Sequence, residues 1–404
     1  MAVGNVDFPA MMNVSGIKLG SSKAGIKQTE RDDLLVIEMA ETATCAGVFT
    51  QNSFCAAPVY FAKEHLQRNP RWLLINSGNA NAGTGEQGML DTRKCCAILS
   101  DMTDGEASQV LPFSTGVIGE NLPVEKIAKA LPQALNHLQE NHWQQAALAI
   151  MTTDTFAKGV SLVIDIEGQP VTLTGISKGA GMIQPNMATM LGFVATDAKI
   201  GQSLLQQCLS EAVEQSFNRI TVDGDTSTND ACILMASGKS TAPEITPNSD
   251  SYAVFSKAVL DVCKRLAELI VRDGEGATKL MRILVEQALD DKEAVRVGKT
   301  VAHSPLVKTA FFASDPNWGR ILAAVGRSEI EQLDLQKIEI YLDDVCIVKQ
   351  GGRADDYTEE QGQQIMDKDE ITIRISLGRG QAKQEVLTCD LSYDYVRINA
   401  EYRT

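Results

Sequence analysis

Histidine is scarce in this chain of 404 residues, and its cysteines form no recognisable pattern. Only four histidines occur, at positions 65, 137, 142 and 303, and none belongs to an H-E-x-x-H motif. The nine cysteines are an odd number, and no two of them are spaced as C-x-x-C. A zinc site and a histidine-based catalytic triad are therefore disfavoured. The cysteines are expected to be reduced and mostly buried, as in a cytoplasmic protein.

The chain also lacks an excess of positive charge and a long apolar segment. Lys and Arg number 37 against 52 Asp and Glu, which gives a net charge of -15. Such a charge disfavours sequence-independent binding to nucleic acid, although it leaves room for a local basic pocket. The longest apolar runs, such as residues 146–151, fall far short of the roughly 20 residues that span a bilayer. No basic and apolar leader opens the sequence, so we expect neither a secretory signal nor a membrane partner.

What the sequence does have is a core-forming composition with mixed periodicity. Hydrophobic residues make up 44% and charged residues 22%, as in globular proteins. Alternating and β-rich runs predict strands at 34–37, 72–75, 160–166, 171–176, 338–347, 371–377 and 386–391. Helical spacing predicts helices at 86–102, 123–140, 203–217, 252–273 and 290–303. A hairpin signal at 167–170 indicates antiparallel pairing, so the fold class is α/β (α+β), with layered sheets covered by helices.

Two phosphate-binding motifs are incomplete. Residues 298–300 and 238–240 match only the end of a P-loop, because Glu293 and Ile233 stand where its first glycine is required. Without that glycine the backbone cannot wrap its N–H groups around a phosphate. Both segments are predicted to be ordinary turns or helix positions.

Two loops rich in short polar or small residues are candidates for a site. Residues 223–230 follow a predicted strand at 219–222, and an EF-hand counted from Asp223 fails because Thr228 and Leu234 replace the required Gly and Glu. This loop is either an Asx- and Thr-rich turn or a polar loop that faces an active site. Residues 76–85 come between a strand and a helix, and they either approach a ligand closely or form a plain turn.

Residues 178–191 are the most informative stretch. They contain two glycines and a proline, which permit irregular backbone geometry, before a β-like run at 190–195. Thr189 follows the small Ala188, and a threonine hydroxyl needs a base to become a nucleophile. Cleavage before Thr189 would supply one, since the freed α-amine has an ordinary pKa of about 7.7–8.0. A buried strand is the simpler interpretation, and the residues alone leave both open.

The same stretch resembles the signature of the ornithine acetyltransferase family, the bifunctional glutamate N-acetyltransferases of arginine biosynthesis. Other segments resemble the family in the same order, namely residues 16–18, 46–50, 56–59, 76–82, 114–119, 151–155, 221–230, 273–278, 315–320 and 399–404. Because these segments cover almost the whole chain, a chance match is implausible. The resemblance implies a layered αββα-type sandwich of mixed and antiparallel sheets with a smaller second α/β domain.

The resemblance also implies roles for individual residues. Thr189 matches the nucleophile, freed by self-cleavage between Ala188 and Thr189, so that residues 1–188 form an α-chain and residues 189–404 a β-chain. Thr115 and Gly116 match the oxyanion-hole pair. The positions that match the amino-acid binding residues are Thr152, Lys178, Thr189, Glu275, Asn399 and Thr404.

The implied reaction is a ping-pong acetyl transfer. Thr189 takes the acetyl group from N-acetylornithine and passes it to glutamate, with no metal or other cofactor. Some members of the family also accept acetyl-CoA as the first donor, and no residue here decides that point. The implied assembly is an α2β2 heterotetramer in the cytoplasm.

Two rival functions stay open. The first is an N-terminal-threonine aminopeptidase or amidohydrolase, in which water replaces glutamate as the acceptor. The second, from a different class, is an acidic binding or scaffold protein that is neither catalytic nor processed.

Overall fold

A computed structural model describes residues 3–4, 7–103, 105–184 and 190–401. Within them lie fifteen strands: β1 (Ile17–Ser22), β2 (Leu34–Met39), β3 (Thr44–Phe49), β4 (Trp72–Asn79), β5 (Val110–Val117), β6 (Lys158–Ile166), β7 (Gln169–Lys178), β8 (Leu191–Thr196), β9 (Ala231–Ala236), β10 (Leu280–Ala288), β11 (Glu339–Leu342), β12 (Val345–Lys349), β13 (Gly352–Arg353), β14 (Glu370–Ser376) and β15 (Ala382–Cys389). The helices in these ranges are α1 (Ala57–His65), α2 (Gly85–Thr103), α3 (Val124–Asn136), α4 (Trp143–Ile150), α5 (Gln202–Glu214), α6 (Asp250–Arg272), α7 (Asp291–Ala302), α8 (Pro305–Phe312), α9 (Trp318–Gly326), α10 (Glu359–Met366) and α11 (Tyr393–Ala400).

Two stacked sheets form the larger part of the protein. The first has strand order β1-β2-β4-β5 and the second β3-β9-β8-β7-β6. Their facing sides share one apolar core, in which Phe113 of β5 meets Phe193 of β8 edge to face with ring centroids 5.3 Å apart. Helices α2 and α3 cover the outer side of the first sheet, and α5 and α6 cover the outer side of the second. The expected αββα sandwich is confirmed.

Alternation along each strand explains why both faces of these sheets are buried. In β2, Leu35 and Ile37 face the second sheet, whereas Leu34 and Val36 face α2 and α3. The pairing is mixed, because β1–β2, β2–β4, β3–β9, β6–β7 and β7–β8 are antiparallel while β4–β5 and β8–β9 are parallel. Apolar residues on both faces of a strand require cover on both sides.

A third sheet builds the smaller α/β part. Its strand order is β13-β12-β11-β14-β10-β15, and its core also takes residues from α7, α8, α9 and α10. A backbone hydrogen bond of 3.0 Å from Thr221 N to Leu387 O joins it to the segment that follows α5. The expected second α/β domain is therefore present.

Most sequence-based elements are confirmed, with instructive exceptions. The predicted 167–170 hairpin joins β6 to β7 through Glu167 and Gly168, which both have positive φ, of 53° and 81°. The single strand predicted at 338–347 is wrong, because the turn at 343–344 divides it into β11 and β12. The strand predicted at 219–222 is also wrong, since only Ile220 forms an isolated bridge there. The helix predicted to reach residue 140 ends at Asn136.

The cysteines agree with the expectation from sequence. All nine cysteines are free, and seven of them are buried. In the described ranges, no helix combines the length and the apolar character that crossing a bilayer would demand.

Candidate active site

A cavity of about 270 Å³ opens where the edges of the two stacked sheets meet the C-terminal part of the chain. Its walls come from seven separate regions: Ala80 after β4, the end of β5 with the residue that follows, the loop after α4, the end of β7 with the residues that follow, the loop before β9, the segment between α6 and β10, and α11. The residues at these places that bear on the chemistry are Thr115, Gly116, Thr152, Lys178, Gly181, Asp230, Glu275 and Asn399.

The end of β5 presents Thr115 and Gly116 to the cavity. Thr115 is buried, and the parallel register places Gly116 beside Gly78 of β4. Gly116 has φ of +135°, and a Cβ there would lie 2.2 Å from the Gly78 carbonyl carbon and 2.5 Å from Asn79 N. Only glycine fits this close approach of two strands.

Lys178, the last residue of β7, brings a cation into the cavity. Its strand position is fixed by pairing with Leu191 of β8. Burial lowers the pKa of Lys178 below the usual lysine value, whereas the negative charges of Asp154 and Asp230 act in the opposite direction. Among the residues that the structure describes, no hydrogen bond or ion pair to the Lys178 ammonium is found, which leaves its donors available for an anionic group.

Glu275 brings a carboxylate into the cavity, and Asn399 holds it in place. Asn399 on α11 donates from Nδ2 to Glu275 Oε2 over 2.8 Å, and Glu275 N donates to the Ala180 carbonyl over 3.0 Å. The Glu275 carboxylate lies against Gly181, because a Cβ on that glycine would come within 2.4 Å of Glu275 Cδ. A buried carboxylate with one oxygen uncommitted to Asn399 suits a substrate amine.

The polar loop before β9 forms one wall of the cavity. Residues 227–230 line it, and Asn229 donates from Nδ2 to the carbonyls of Ala80 and Ser114 over 2.6 and 2.9 Å. Of the two interpretations of residues 223–230, the structure therefore supports the polar loop that faces a site. By contrast, residues 76–79 of the other candidate loop continue β4, and of residues 76–85 only Ala80 lines the cavity.

Asp223 anchors the segment that leads towards residue 185. Its Oδ2 accepts from Met182 N over 2.6 Å, and its Oδ1 accepts from Ile183 N over 2.9 Å. Met182 has φ of 54°, a left-handed conformation that a long unbranched side chain rarely adopts. Strain of this kind persists only where the surrounding contacts hold it in place.

Comparison with known proteins identifies the family. The model of the ArgJ family matches residues 18–404. This chain belongs to the ArgJ family. An arginine biosynthesis bifunctional protein ArgJ from Methylococcus capsulatus is 62% identical over 391 residues, which are 97% of this chain and 96% of that protein. The protein of the same name from Pseudomonas fluorescens is 55% identical over 405 residues, which cover both chains completely.

A solved structure agrees with this assignment. The crystal structure of the arginine biosynthesis bifunctional protein argJ from Bacillus halodurans is 44% identical, with a TM-score of 0.51, and covers 53% of this chain and 100% of its own. The resemblance to the acetyltransferases of arginine biosynthesis is thus confirmed. This ArgJ-family chain is an acyltransferase of arginine biosynthesis.

Six of the site residues expected from sequence meet in the cavity of this ArgJ-family enzyme, namely Thr115, Gly116, Thr152, Lys178, Glu275 and Asn399. The other three, Ala188, Thr189 and Thr404, lie outside the described residues. Because all six residues line the same cavity, they share one site.

Sequence reasoning missed a buried ion cluster behind the cavity of this ArgJ-family enzyme. Lys158 Nζ lies 2.5 Å from Asp154 Oδ1 and 2.6 Å from Asp273 Oδ2, and all three side chains have an exposed fraction of 0%. We call Asp154, Lys158 and Asp273 the buried triad. The available signal was a lysine at the start of an apolar strand, since lysine is almost never fully buried unless it is paired.

Proposed function

We propose that the protein transfers an acetyl group from N-acetylornithine to glutamate through an acetyl ester on Thr189. One observation carries the proposal: an oxyanion-hole pair, a cation and a carboxylate, distant in sequence, line one cavity in an ArgJ-family fold. A cation and a carboxylate facing the same cavity match the carboxylate and amine of an amino acid.

In this mechanism Thr189 Oγ attacks the acetyl carbonyl of N-acetylornithine. The threonine's own α-amine takes the hydroxyl proton and returns it to the departing ornithine amine. Thr115 and the Gly116 N–H stabilise the oxyanion, and the glutamate amine then attacks the ester, which frees Thr189. The amino-acid portion of each substrate is held by the five remaining site residues, namely Thr152, Lys178, Glu275, Asn399 and Thr404.

Self-cleavage between Ala188 and Thr189 supplies the free amine and divides the chain into 1–188 and 189–404. Two observations support this step. Asp223 holds the segment leading to the cleavage site, with strain at Met182. In addition, the Bacillus halodurans chain corresponds in full to only 53% of this one, close to the share of a processed chain.

The remaining parts of the proposal follow from this chemistry. The ester route changes no oxidation state, and the proposed oxyanion-hole donors stabilise the developing charge, so we assign no metal or cofactor. The bifunctional name of the relatives supports acetyl-CoA as an alternative first donor. We propose an α2β2 assembly and a cytoplasmic location.

The acceptor distinguishes a transferase from a hydrolase. With N-acetylornithine as donor, we expect sustained ornithine release only when glutamate is added, together with an equal amount of N-acetylglutamate. The measurement is chromatography of both products over time, with a second arm in which acetyl-CoA replaces N-acetylornithine. Ornithine release at the same rate without glutamate would contradict the proposal and favour the N-terminal-threonine amidohydrolase.

A Gly181→Ala change tests the role of Glu275 in amine binding. The added methyl group would overlap the Glu275 carboxylate and force it away from Asn399. Losing a charge-assisted hydrogen bond costs about 1.5–3 kcal/mol, so we expect KM for N-acetylornithine to rise roughly tenfold or more.

The matched control for that change is Gly201→Ala. Gly201 has φ of -70°, and a Cβ there meets no atom within 4 Å. We expect wild-type KM in this control. An unchanged KM in Gly181→Ala would contradict the proposed role of Glu275 in binding the substrate amine.

A further inference from the structure

The buried triad connects three segments that each deliver a polar side chain to the cavity. Asp154 Oδ2 accepts a hydrogen bond from Thr152 N over 2.9 Å, and Asp154 Oδ1 accepts from Gly179 N over 2.7 Å. The first bond fixes the loop after α4. The second fixes the backbone next to Lys178, at the end of β7.

The third segment is the end of α6. Asp273 caps that helix and accepts from Thr155 N over 3.0 Å, and it also accepts from the Thr155 hydroxyl. Glu275 follows Asp273 by two residues. The Lys158 ammonium lies between the two aspartates and so ties the Thr152 loop to the segment that carries Glu275.

The charges of the triad explain why a lysine lies at its centre. Two buried carboxylates would repel each other, and one ammonium between them leaves the group with a net charge of about -1. Despite the cost of burial, Lys158 and Lys178 hold the pKa of Asp154 down to about 2, whereas burial raises the pKa of Asp273. At neutral pH the Asp154 carboxylate is therefore ionised.

That net negative charge faces Lys178. The charged groups around the Lys178 ammonium are Asp154, Asp230, Glu275 and Lys158, of which the three acids favour its protonated form and Lys158 opposes it. Burial alone would favour the neutral amine. Asp154 is the largest of the opposing influences.

We propose that the buried triad is a positioning network that aligns the three binding segments and keeps the Lys178 ammonium charged to receive a substrate carboxylate. The proposal rests on the proposed function and deepens it. The triad touches neither substrate nor reacting atoms, so it governs KM for the amino acid and the pH dependence of binding. It leaves the acyl-transfer step at saturation nearly unchanged.

An Asp154→Asn variant tests the network through steady-state kinetics against pH. Removing the carboxylate takes away the main negative charge near Lys178, so the Lys178 pKa falls. Because Lys178 is protonated below its pKa, binding is then lost at lower pH than in wild type. We expect KM for both amino acids to rise about tenfold near neutral pH, with kcat changed by less than about threefold.

The matched control is Asp165→Asn in β6, the strand that begins at Lys158. Asp165 accepts one backbone hydrogen bond, from Gly168 N over 2.8 Å, at the far end of the hairpin. It should alter neither KM nor its pH profile. A purely structural role of Asp154 would lower the melting temperature and leave the pH profile where it is.

A second measurement does not depend on catalysis. In reductive methylation, the neutral amine of a lysine reacts with formaldehyde and cyanoborohydride reduces the imine that forms. Peptide mass spectrometry then gives the extent of Lys178 labelling at each pH. We expect the labelling midpoint to move to lower pH in Asp154→Asn and to stay in place in Asp165→Asn. This result stands even if wild type transfers no acetyl group, so it separates failure of the network from failure of the proposed function.

An Asp273→Asn variant covers the case in which Asp154→Asn does not fold. It removes a charge from the far side of Lys158 and keeps both backbone bonds of Asp154. Because Asp273 ties the segment that carries Glu275 to Lys158, we expect KM for the amino acids to rise while the Lys178 labelling midpoint stays near that of wild type. A folded Asp154→Asn variant whose Lys178 labels like the control, or a folded Asp273→Asn variant with wild-type KM, overturns the proposal.

Discussion

The Thr189→Ala variant is expected to run as a single full-length band on a denaturing gel, whereas wild type gives two. Alanine offers no hydroxyl to attack the Ala188 carbonyl, so the chain stays whole and no terminal amine is released. Acetyl transfer should fall by on the order of 10³ or more, because both nucleophile and base are missing. N-terminal sequencing of the larger wild-type band, residues 189–404, should begin Thr-Met-Leu.

Thr189→Ser is the control for this change, because serine keeps a hydroxyl and, once cleaved, an α-amine. We expect two bands and measurable transfer. A single band from active wild type would refute the processing mechanism.

The Gly116→Ala variant should lose most of its catalytic rate. Its Cβ cannot be placed without moving Gly78 and Asn79, so the ends of β4 and β5 must separate and the Gly116 N–H must shift. Loss of one oxyanion donor typically costs about 10²–10³ in kcat. The measurement is kcat for ornithine release at saturating substrate.

Gly119→Ala separates this effect from the backbone cost of placing alanine at positive φ. Gly119 also has positive φ, of +86°, but a Cβ there meets no atom within 4 Å. We expect a lower melting temperature with nearly normal kcat. Equal loss of kcat in both variants would mean that Gly116 acts through folding and not through its N–H group.

The fold could be predicted from sequence where local pattern and tertiary environment agree. The run at 72–75 lies within β4 and is apolar throughout, as expected for a strand buried on both faces. The run at 171–176 lies within β7, where Val, Ile and Thr favour a strand. The run at 338–347 was wrongly predicted to be one strand. A turn of two aspartates interrupts it, and no glycine is present to signal a hairpin there. Residues 219–222 read as a strand but pair only at Ile220.

The site was harder to predict from residues alone. Lys178 and Glu275 are distant in the chain, and no periodicity indicates that they share a cavity; only family resemblance brought them together. The buried triad went unnoticed for the same reason, because Asp273 meets Lys158 through the docking of α6 onto β6. Such contacts depend on how layers stack, which local sequence does not encode.

The second sheet decides what a break before Thr189 would do to the molecule. In its strand order β3-β9-β8-β7-β6, the two strands that follow that point, β9 and β8, lie side by side and are flanked by strands that precede it, with β3 beside β9 and β7 beside β8. The two pieces would stay joined by the hydrogen bonds between β3 and β9 and between β7 and β8, so separating them would require denaturant. Halves produced from separate genes would each expose bare sheet edges, so the intact precursor has to fold before it is nicked.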